Sequence, residues 1–268
     1  MKHMLNDNIC LIVPRQTTTN NWSHVQASDH LSDNRIQYSN KGIPIVCPLY
    51  LFPDKNGQDA KRSPNLNDDI IKQIAKRLHL AFRGEKSSNM DDFAFAFSPI
   101  DILRYIYAIL HSPAYREKYK EYLKIGFPRV PIPSVKMFRS LSTIGAELIE
   151  LHLMKSSKFI KHITEWQGDT PSAYISRVTY KNSIVYIDAA QTQGFCGVPN
   201  VVWSFHVGGY QVCAKWLKDR KGLRLSAEDI VRYQEIVVTL SETSRVMIEI
   251  DETINQNGGW PLAFQVLD

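Results

Sequence analysis

Ser98-Pro99-Ile100-Asp101-Ile102-Leu103-Arg104-Tyr105-Ile106-Tyr107-Ala108-Ile109-Leu110-His111-Ser112-Pro113-Ala114-Tyr115-Arg116 contains two helix starts in close succession. Ser98 is an N-cap type, Pro99 suits the first turn, and Asp101 is an acid three residues after the cap. Ile102, Leu103, Ile106, Ile109 and Leu110 then recur at helical spacing. Ser112-Pro113 starts a second helix, with Tyr115, Tyr119, Tyr122 and Leu123 on one side and Gly126 as its stop. Helical spacing makes core packing the first expectation for these tyrosines, ahead of stacking on a ligand. Three prolines within Phe127–Pro133 follow, and proline both lacks an amide donor and disfavours helix in its predecessor, so this stretch reads as a stiff extended linker. Ser134 opens another helix to about Met154, with Phe138, Leu141, Ile144, Leu148 and Leu151 buried.

Working outward, residues 1–53 read as strands and turns. Cys10–Val13 is a short apolar run stopped by Pro14, and Ile43–Phe52 is a second one, placed at an edge or bend by Pro44 and Pro48. Asp54–Asn67 is a polar loop, and a helix is expected over Asp68–Phe82, ended by Gly84. Beyond the helical middle, Tyr174–Tyr180 alternates, Lys181-Asn182-Ser183 turns the chain and Ile184–Asp188 returns as a hairpin. Val201–Phe205 is a strand candidate that leads through Gly208-Gly209 into a helix carrying Trp216 and Leu217, with Gly222 ending it. Ser226 and Asp229 start the longest helix, over 227–256, about 45 Å at 1.5 Å per residue. The expected class is α+β: short strand groups in the N-terminal region and around 173–206 flank a central helical segment, and a long C-terminal helix closes the chain. The expected parts are a strand-rich 1–97, a helical middle 98–163 with the Pro-rich linker 127–133, and an α+β part 164–268.

The 268 residues are 44% hydrophobic and 22% charged, enough for a core and unlike a disordered tail. No run of about 18 apolar residues suggests a membrane span, and MKHMLNDNIC lacks the apolar core of a signal peptide. Cys10, Cys47, Cys196 and Cys213 lie far apart with no C-x-x-C, against a zinc ribbon or a disulfide scaffold. A soluble, cytoplasmic, metal-free protein is the expectation. The net charge is +5, and its distribution says more than its sum. Arg104, Arg116, Lys118, Lys120, Lys124, Arg129, Lys136 and Arg139 face only Asp101, Glu117 and Glu121 across 101–139. Lys215, Lys218, Arg220, Lys221 and Arg224 form a second basic block, offset by an acidic stretch over 225–268. Clustered cations are what phosphate contact requires; solvated faces of ordinary helices are the plainer alternative.

Catalytic patterns are scarce. The sequence holds no P-loop, no G-x-G-x-x-G after a strand, no H-E-x-x-H and no G-x-S-x-G. Ser32-Asp33-Asn34 lacks the S-x-x-K and K-T-G that would give it meaning. Asp54, Asp59 and Lys61 echo a metal-nuclease pattern, but a polar loop separates them where converging strands would be needed to hold Mg²⁺. His206, at the end of a strand candidate, reads as structural.

Ile106–Arg116 followed by Phe127–Pro133 resembles the Y-a-x-L-h-S-p-x-Y-R … P-R-I-P-x-P signature of single-chain restriction–modification enzymes. Gly145-Ala146-Glu147-Leu148, Leu151-His152-Leu153, Val202–Val212 and Lys215–Arg220 fit as well, as do Val13–Gln16 and Pro48–Pro53. Together they are similar to the C-terminal target-recognition region of Type ISP enzymes, over roughly Ile9 to Phe264, related to fused methyltransferase–specificity proteins. The resemblance implies a bacterial defence role: a domain that recognises duplex DNA for a nuclease, a translocase and an adenine-N6 methyltransferase. S-adenosylmethionine, ATP and Mg²⁺ would belong to those upstream domains, whose motifs are missing here, so no cofactor is expected in this chain. The partners implied are duplex DNA and the catalytic domains, in the same or a neighbouring polypeptide.

The residues offer matching chemistry. Arg reads guanine and Asn or Gln reads adenine in the major groove, so Arg15, Gln16, Asn20, Asn21, Trp22, His24, Arg35, Gln37 and Lys41 are candidate base contacts. Arg116, Lys118, Lys120, Lys124 and Arg129 are candidate phosphate contacts, Arg129 on the proline-stiffened segment. No residue is assigned to catalysis or metal binding. A non-catalytic docking subunit of a restriction complex is the alternative, and a small Mg²⁺-dependent nuclease a remote one.

Overall fold

The computed structural model describes residues 1–17, 22–33, 36, 44–53, 61–85, 95–168 and 173–265. The chain forms two compact units: Met1–Leu153 with Val246–Asp268, and Met154–Arg245. The strand-rich N-terminal part and most of the helical middle thus share one unit. Among the described residues no helix is long and apolar enough to cross a membrane.

The first unit opens with an antiparallel sheet in which β1 (Cys10–Pro14) lies between β2 (Gln26–Ser28) and β3 (Pro44–Pro48). The prolines put β3 at the edge, where a missing amide breaks no ladder. Leu49 then leads into β4 (Tyr50–Leu51), which pairs with β5 (Ser63–Pro64). Helix α1 (Asp68–Leu78) is capped by the Asn67 side chain, which accepts from the Asp69 and Ile70 amides. It stops short of the expected Phe82 because His79 turns left-handed, with φ 51°, and donates its amide to the Ala75 carbonyl. The freed chain forms a short parallel pair, β6 (Ala81–Phe82) with β7 (Ala96–Phe97). Helix α2 (Pro99–His111) starts as the sequence predicts, the Asp101 carboxylate accepting from the Ser98 amide (3.0 Å) and hydroxyl (2.6 Å). Next come α3 (Pro113–Lys118), α4 (Lys120–Ile125), the extended Pro-rich segment and α5 (Val135–His152). Phe138, Leu141, Ile144, Leu148 and Leu151 of α5 are all buried, as their spacing requires. The Phe138 ring meets Phe97 edge-on at 5.6 Å and Tyr105 at 5.7 Å.

In the second unit β8 (Glu165–Gln167), β9 (Thr179–Lys181), β10 (Ile184–Tyr186) and β11 (Gly194–Cys196) form an antiparallel sheet of order β8-β11-β10-β9. Asn182 and Ser183, at φ 52° and 60°, make the two-residue turn that matches strand twist. The first hairpin strand is shorter than its alternation suggests. The Ser176 and Arg177 amides both donate to the Ile187 carbonyl (3.0 and 3.1 Å), and two residues against one interrupt the ladder. Val201–Phe205, expected as a strand, instead holds a helical turn, α6 (Asn200–Trp203). Pro199 is its N-cap, and the Pro199 carbonyl accepts from the Val202 and Trp203 amides at 3.1 and 2.9 Å, closing a turn despite the β preference of the two valines. Gly208 then turns a small hairpin, β12 (His206–Val207) with β13 (Tyr210–Gln211), ahead of α7 (Val212–Lys218). Helix α8 (Ala227–Gln256) begins where Ser226 and Asp229 cap each other, and its first part buries Ile230, Tyr233, Val237 and Leu240 in this unit's core with Phe195, Val185 and Leu217. Its last part, in the first unit, buries Val246, Ile250 and Ile254, whereas Met247 is half-buried.

Gly145 shows why α2 and α5 pack so closely. A Cβ there would lie 1.9 Å from the Arg104 carbonyl oxygen, and the Ser142 hydroxyl donates to the Asp101 carbonyl at 2.9 Å on the same face. Because the obstacle is backbone, the helices would have to separate. Gly145→Ala is therefore expected to lose about 1–3 kcal/mol or more despite the better helix propensity of alanine, read as a lower urea midpoint; an unchanged or higher midpoint would refute the close approach.

Candidate nucleic-acid interface

The site residues converge on α3 and α4, so the reason these short helices hold their place comes first. Ser112 caps α3, its hydroxyl oxygen accepting from the Tyr115 amide at 3.0 Å. Asp251 of α8 reinforces this start: its carboxylate accepts from the Ser112 hydroxyl and, at 2.9 Å, from the Ala114 amide. A carboxylate is favoured where helical amides are unpaired. Tyr115 is buried on the inner face, and Tyr119 packs against it at 5.0 Å and against Trp260 at 6.0 Å.

Two flanking segments are tied to this pair of helices. The Thr17 amide donates to the Lys124 carbonyl at 3.2 Å, which sets the exposed Arg15-Gln16 turn beside the end of α4. On the other flank three donors hold the Pro-rich segment at alternate carbonyls. Tyr115 Oη donates to Arg129 (2.8 Å), Tyr105 Oη to Pro131 (2.8 Å) and Arg77 Nε to Pro133 (3.2 Å). The main-chain oxygens of Arg129, Pro131 and Pro133 are thereby occupied, while the Arg129 side chain stays exposed. Arg15, Gln16, Lys124 and Arg129 are thus attached to one scaffold.

The remaining candidates divide. Lys118 and Lys120 are exposed, and Lys124 is half-buried. Glu117 pairs with Lys120 at 2.6 Å and Glu121 with Lys124 at 2.9 Å, whereas Lys118, Arg129 and Arg15 have no ion pair among the described residues. Arg116 works inward: its Nε donates to the Leu110 carbonyl at 2.7 Å at the end of α2, and its guanidinium lies 5.8 Å from the Trp22 ring centre. Burial pushes its pKa down to about 10, which leaves it cationic at neutral pH. Trp22 and His24 are buried as well, His24 completely, so the fold employs them as interior side chains. Asn20, Asn21, Arg35, Gln37 and Lys41 lie outside the described residues, as do Asp54 and Asp59 of the nuclease pattern. Among the described residues no group of three His, Cys, Asp or Glu is placed to hold a metal. Sequence spacing missed the exposure of Tyr122 and Ile125; their setting just before Gly126 and the prolines was the available signal.

Two further features carry charge. An open groove of about 740 Å³ is lined by Lys136 and Arg139 of α5 and by Glu249 and Thr253 of α8, and its mixed signs make it a poor phosphate cradle. In the second unit, Arg220 stacks on Trp216 at 3.6 Å and Lys215 pairs with Asp219, while Lys218 and Lys221 are exposed.

Behind α3, Tyr107 Oη and His152 Nδ1 share a hydrogen bond at 2.6 Å, and His111 Nδ1 donates to the Tyr107 carbonyl at 2.8 Å. Burial, together with the Arg116 guanidinium, pushes His111 well below the ordinary histidine range and His152 to about 4. Both are held neutral in the fold, whereas the unfolded chain takes up their protons near pH 6.5. Stability is then complete above that pH and declines as pH falls from 6.5 towards 4. Urea midpoints should track this fall, and His152→Gln should flatten it; an unflattened profile in the variant would show that the cluster does not titrate this way.

Three comparisons bear on this geometry. A family model described as "Type ISP C-terminal specificity domain" matches residues 1–249. No curated protein matches by sequence. Among solved structures, one described as "ATP-dependent Type ISP restriction-modification enzyme LlaBIII bound to DNA" superposes with a TM-score of 0.66 at 15% identity, over 91% of this chain and 16% of that one. "cryoEM structure DrdV-DNA complex" gives 0.64 at 21% identity, over 91% and 24%. "Structure of a nuclease-deletion mutant of the Type ISP restriction-modification enzyme LlaGI in complex with a DNA substrate mimic" gives 0.60 at 16%, over 91% and 18%. The chain spans less than a quarter of each of these proteins.

Proposed function

From the premise that this chain belongs to the Type ISP C-terminal specificity domain family, we propose that it recognises a target sequence in duplex DNA for a restriction–modification enzyme and makes or breaks no covalent bond itself. One observation carries the reading. The Thr17–Lys124 and Tyr115–Arg129 hydrogen bonds fasten an Arg-Gln turn and an exposed arginine to a helix pair bearing Lys118, Lys120 and Lys124. Base-reading and phosphate-contacting side chains are then carried on one pre-ordered support, the division of labour that duplex recognition uses. Arg15 and Gln16 are the base readers, suited to guanine and adenine. Lys118, Lys120, Lys124 and Arg129 contact phosphates, and among the described residues Lys118 and Arg129 have no ion pair to break first. The DNA-bound state of the solved relatives agrees with this. Methyltransferase, translocase and nuclease domains, with S-adenosylmethionine, ATP and Mg²⁺, would sit elsewhere in the same or a neighbouring polypeptide, and the assembly would act in the cytoplasm.

Fluorescence anisotropy with duplexes selected from a random pool tests the reading. Affinity should fall steeply with salt, and Lys118→Ala should weaken all sequences alike while reducing the slope of log K against log[salt] by about 1. Arg15→Ala or Gln16→Ala should instead relax the preferred site, costing about 1–3 kcal/mol of discrimination at one position. A wild-type chain with no salt-dependent duplex binding at low ionic strength would overturn it.

A further inference from the structure

The outer face of α4 and the Phe127 that follows it expose apolar side chains that phosphate and base-edge contacts leave unexplained. Tyr122 is 72% exposed, Ile125 73% and Phe127 45%, whereas Leu123 and Tyr115 on the inner face are 1% exposed. Tyr122 and Ile125 stand three residues apart on α4, which puts them on one row of its surface, and Lys118 ends α3 just before it. Large apolar side chains gathered on a rigid surface mark a contact site.

We propose that Tyr122, Ile125 and Phe127 form an apolar wedge that presses between base steps of the bound duplex, so that the domain selects DNA by how readily it unstacks as well as by its base edges. This rests on the DNA-recognition reading above. Charge favours DNA over a protein face as the occupant. Lys118 ends α3 four residues before Tyr122, Arg129 follows Phe127 by two residues, and Arg15 belongs to the turn fastened beside Lys124. These three cations have no ion pair among the described residues, while the nearby acids Glu117 and Glu121 are each neutralised by a lysine. An apolar centre rimmed by cations complements stacked bases between phosphate rows. Tyr122 to Ile125 rises about 4.5 Å along α4, little more than one base step at about 3.4 Å. Wedges of this composition kink duplexes by partial unstacking, and pyrimidine–purine steps yield most easily. The selected site should therefore contain a TA or CA/TG step.

The test uses the whole chain and a duplex of the selected site with 2-aminopurine placed at successive steps. Wild type should raise the fluorescence at one step. Tyr122→Ala with Ile125→Ser should abolish that rise and weaken binding by about 10- to 100-fold, with an unchanged salt slope. Tyr122→Phe with Ile125→Leu should restore both signals. Lys118→Ala should lower the slope and keep the rise. The exposure of both positions predicts an unchanged urea midpoint for the double variant, which separates lost contact from lost fold. Wild type that binds with salt dependence but shows no rise at any step would overturn the wedge alone, whereas absence of salt-dependent binding would overturn the DNA reading and the wedge with it. A double variant that binds DNA normally yet no longer associates with a separately produced catalytic portion would assign the patch to protein docking and overturn the wedge.

Discussion

The Asp251 carboxylate meets the Ser112 hydroxyl and the Ala114 amide at the first turn of α3, and the candidate surface depends on that meeting. Helices as short as α3 and α4 do not persist on their own, because nucleation is unfavourable and few hydrogen bonds repay it. Here the helix start is fixed by a side chain remote in sequence, and its far side by burial of Tyr115 and Leu123. Once α3 is set, Tyr115 Oη reaches the Arg129 carbonyl and the α4 terminus offers its Lys124 carbonyl to Thr17. The acidic stretch of the C-terminal helix therefore has a structural task within the basic region whose charge it offsets.

Arg116 illustrates how charge can be concentrated without being displayed. Its Nε satisfies the Leu110 carbonyl at the negative end of α2, a placement that favours a cation. The same guanidinium helps to keep His111 and His152 neutral. Of the candidate phosphate contacts, Lys118 and Arg129 are exposed and have no ion pair among the described residues, while Lys120 and Lys124 are shared with acids three residues away. A modest number of free cations on a fixed support suits selective binding better than a diffuse positive field, since preorganisation reduces the ordering cost of association.

Much of the fold was legible in the sequence. The caps at Ser98, Ser112, Ser134 and Ser226, the stiff Phe127–Pro133 segment, the Lys181–Ser183 turn and the buried stripe of α5 all follow from local chemistry that a few neighbouring residues determine. The Arg15-Gln16 turn was legible as exposed and polar, and it is. Local chemistry failed where two local rules competed. Val201 and Val202 favour a strand, but the Val202 and Trp203 amides close a helical turn on the Pro199 carbonyl; Ala81–Phe82 continues an apolar pattern, but His79 has already closed α1.

What the residues determined alone is therefore the set of elements, the clustering of cations and the kinship to a specificity domain. Tertiary structure decided which side of each element faces out. Tyr115 and Tyr122 look alike in a helical pattern, yet one lies in the core and donates to a carbonyl fourteen residues away while the other faces solvent. Trp22 and His24 look like loop side chains, yet they are buried, Trp22 beside the Arg116 guanidinium. Periodicity reports that a face is apolar; only the neighbours that the chain brings from afar determine whether that face is covered.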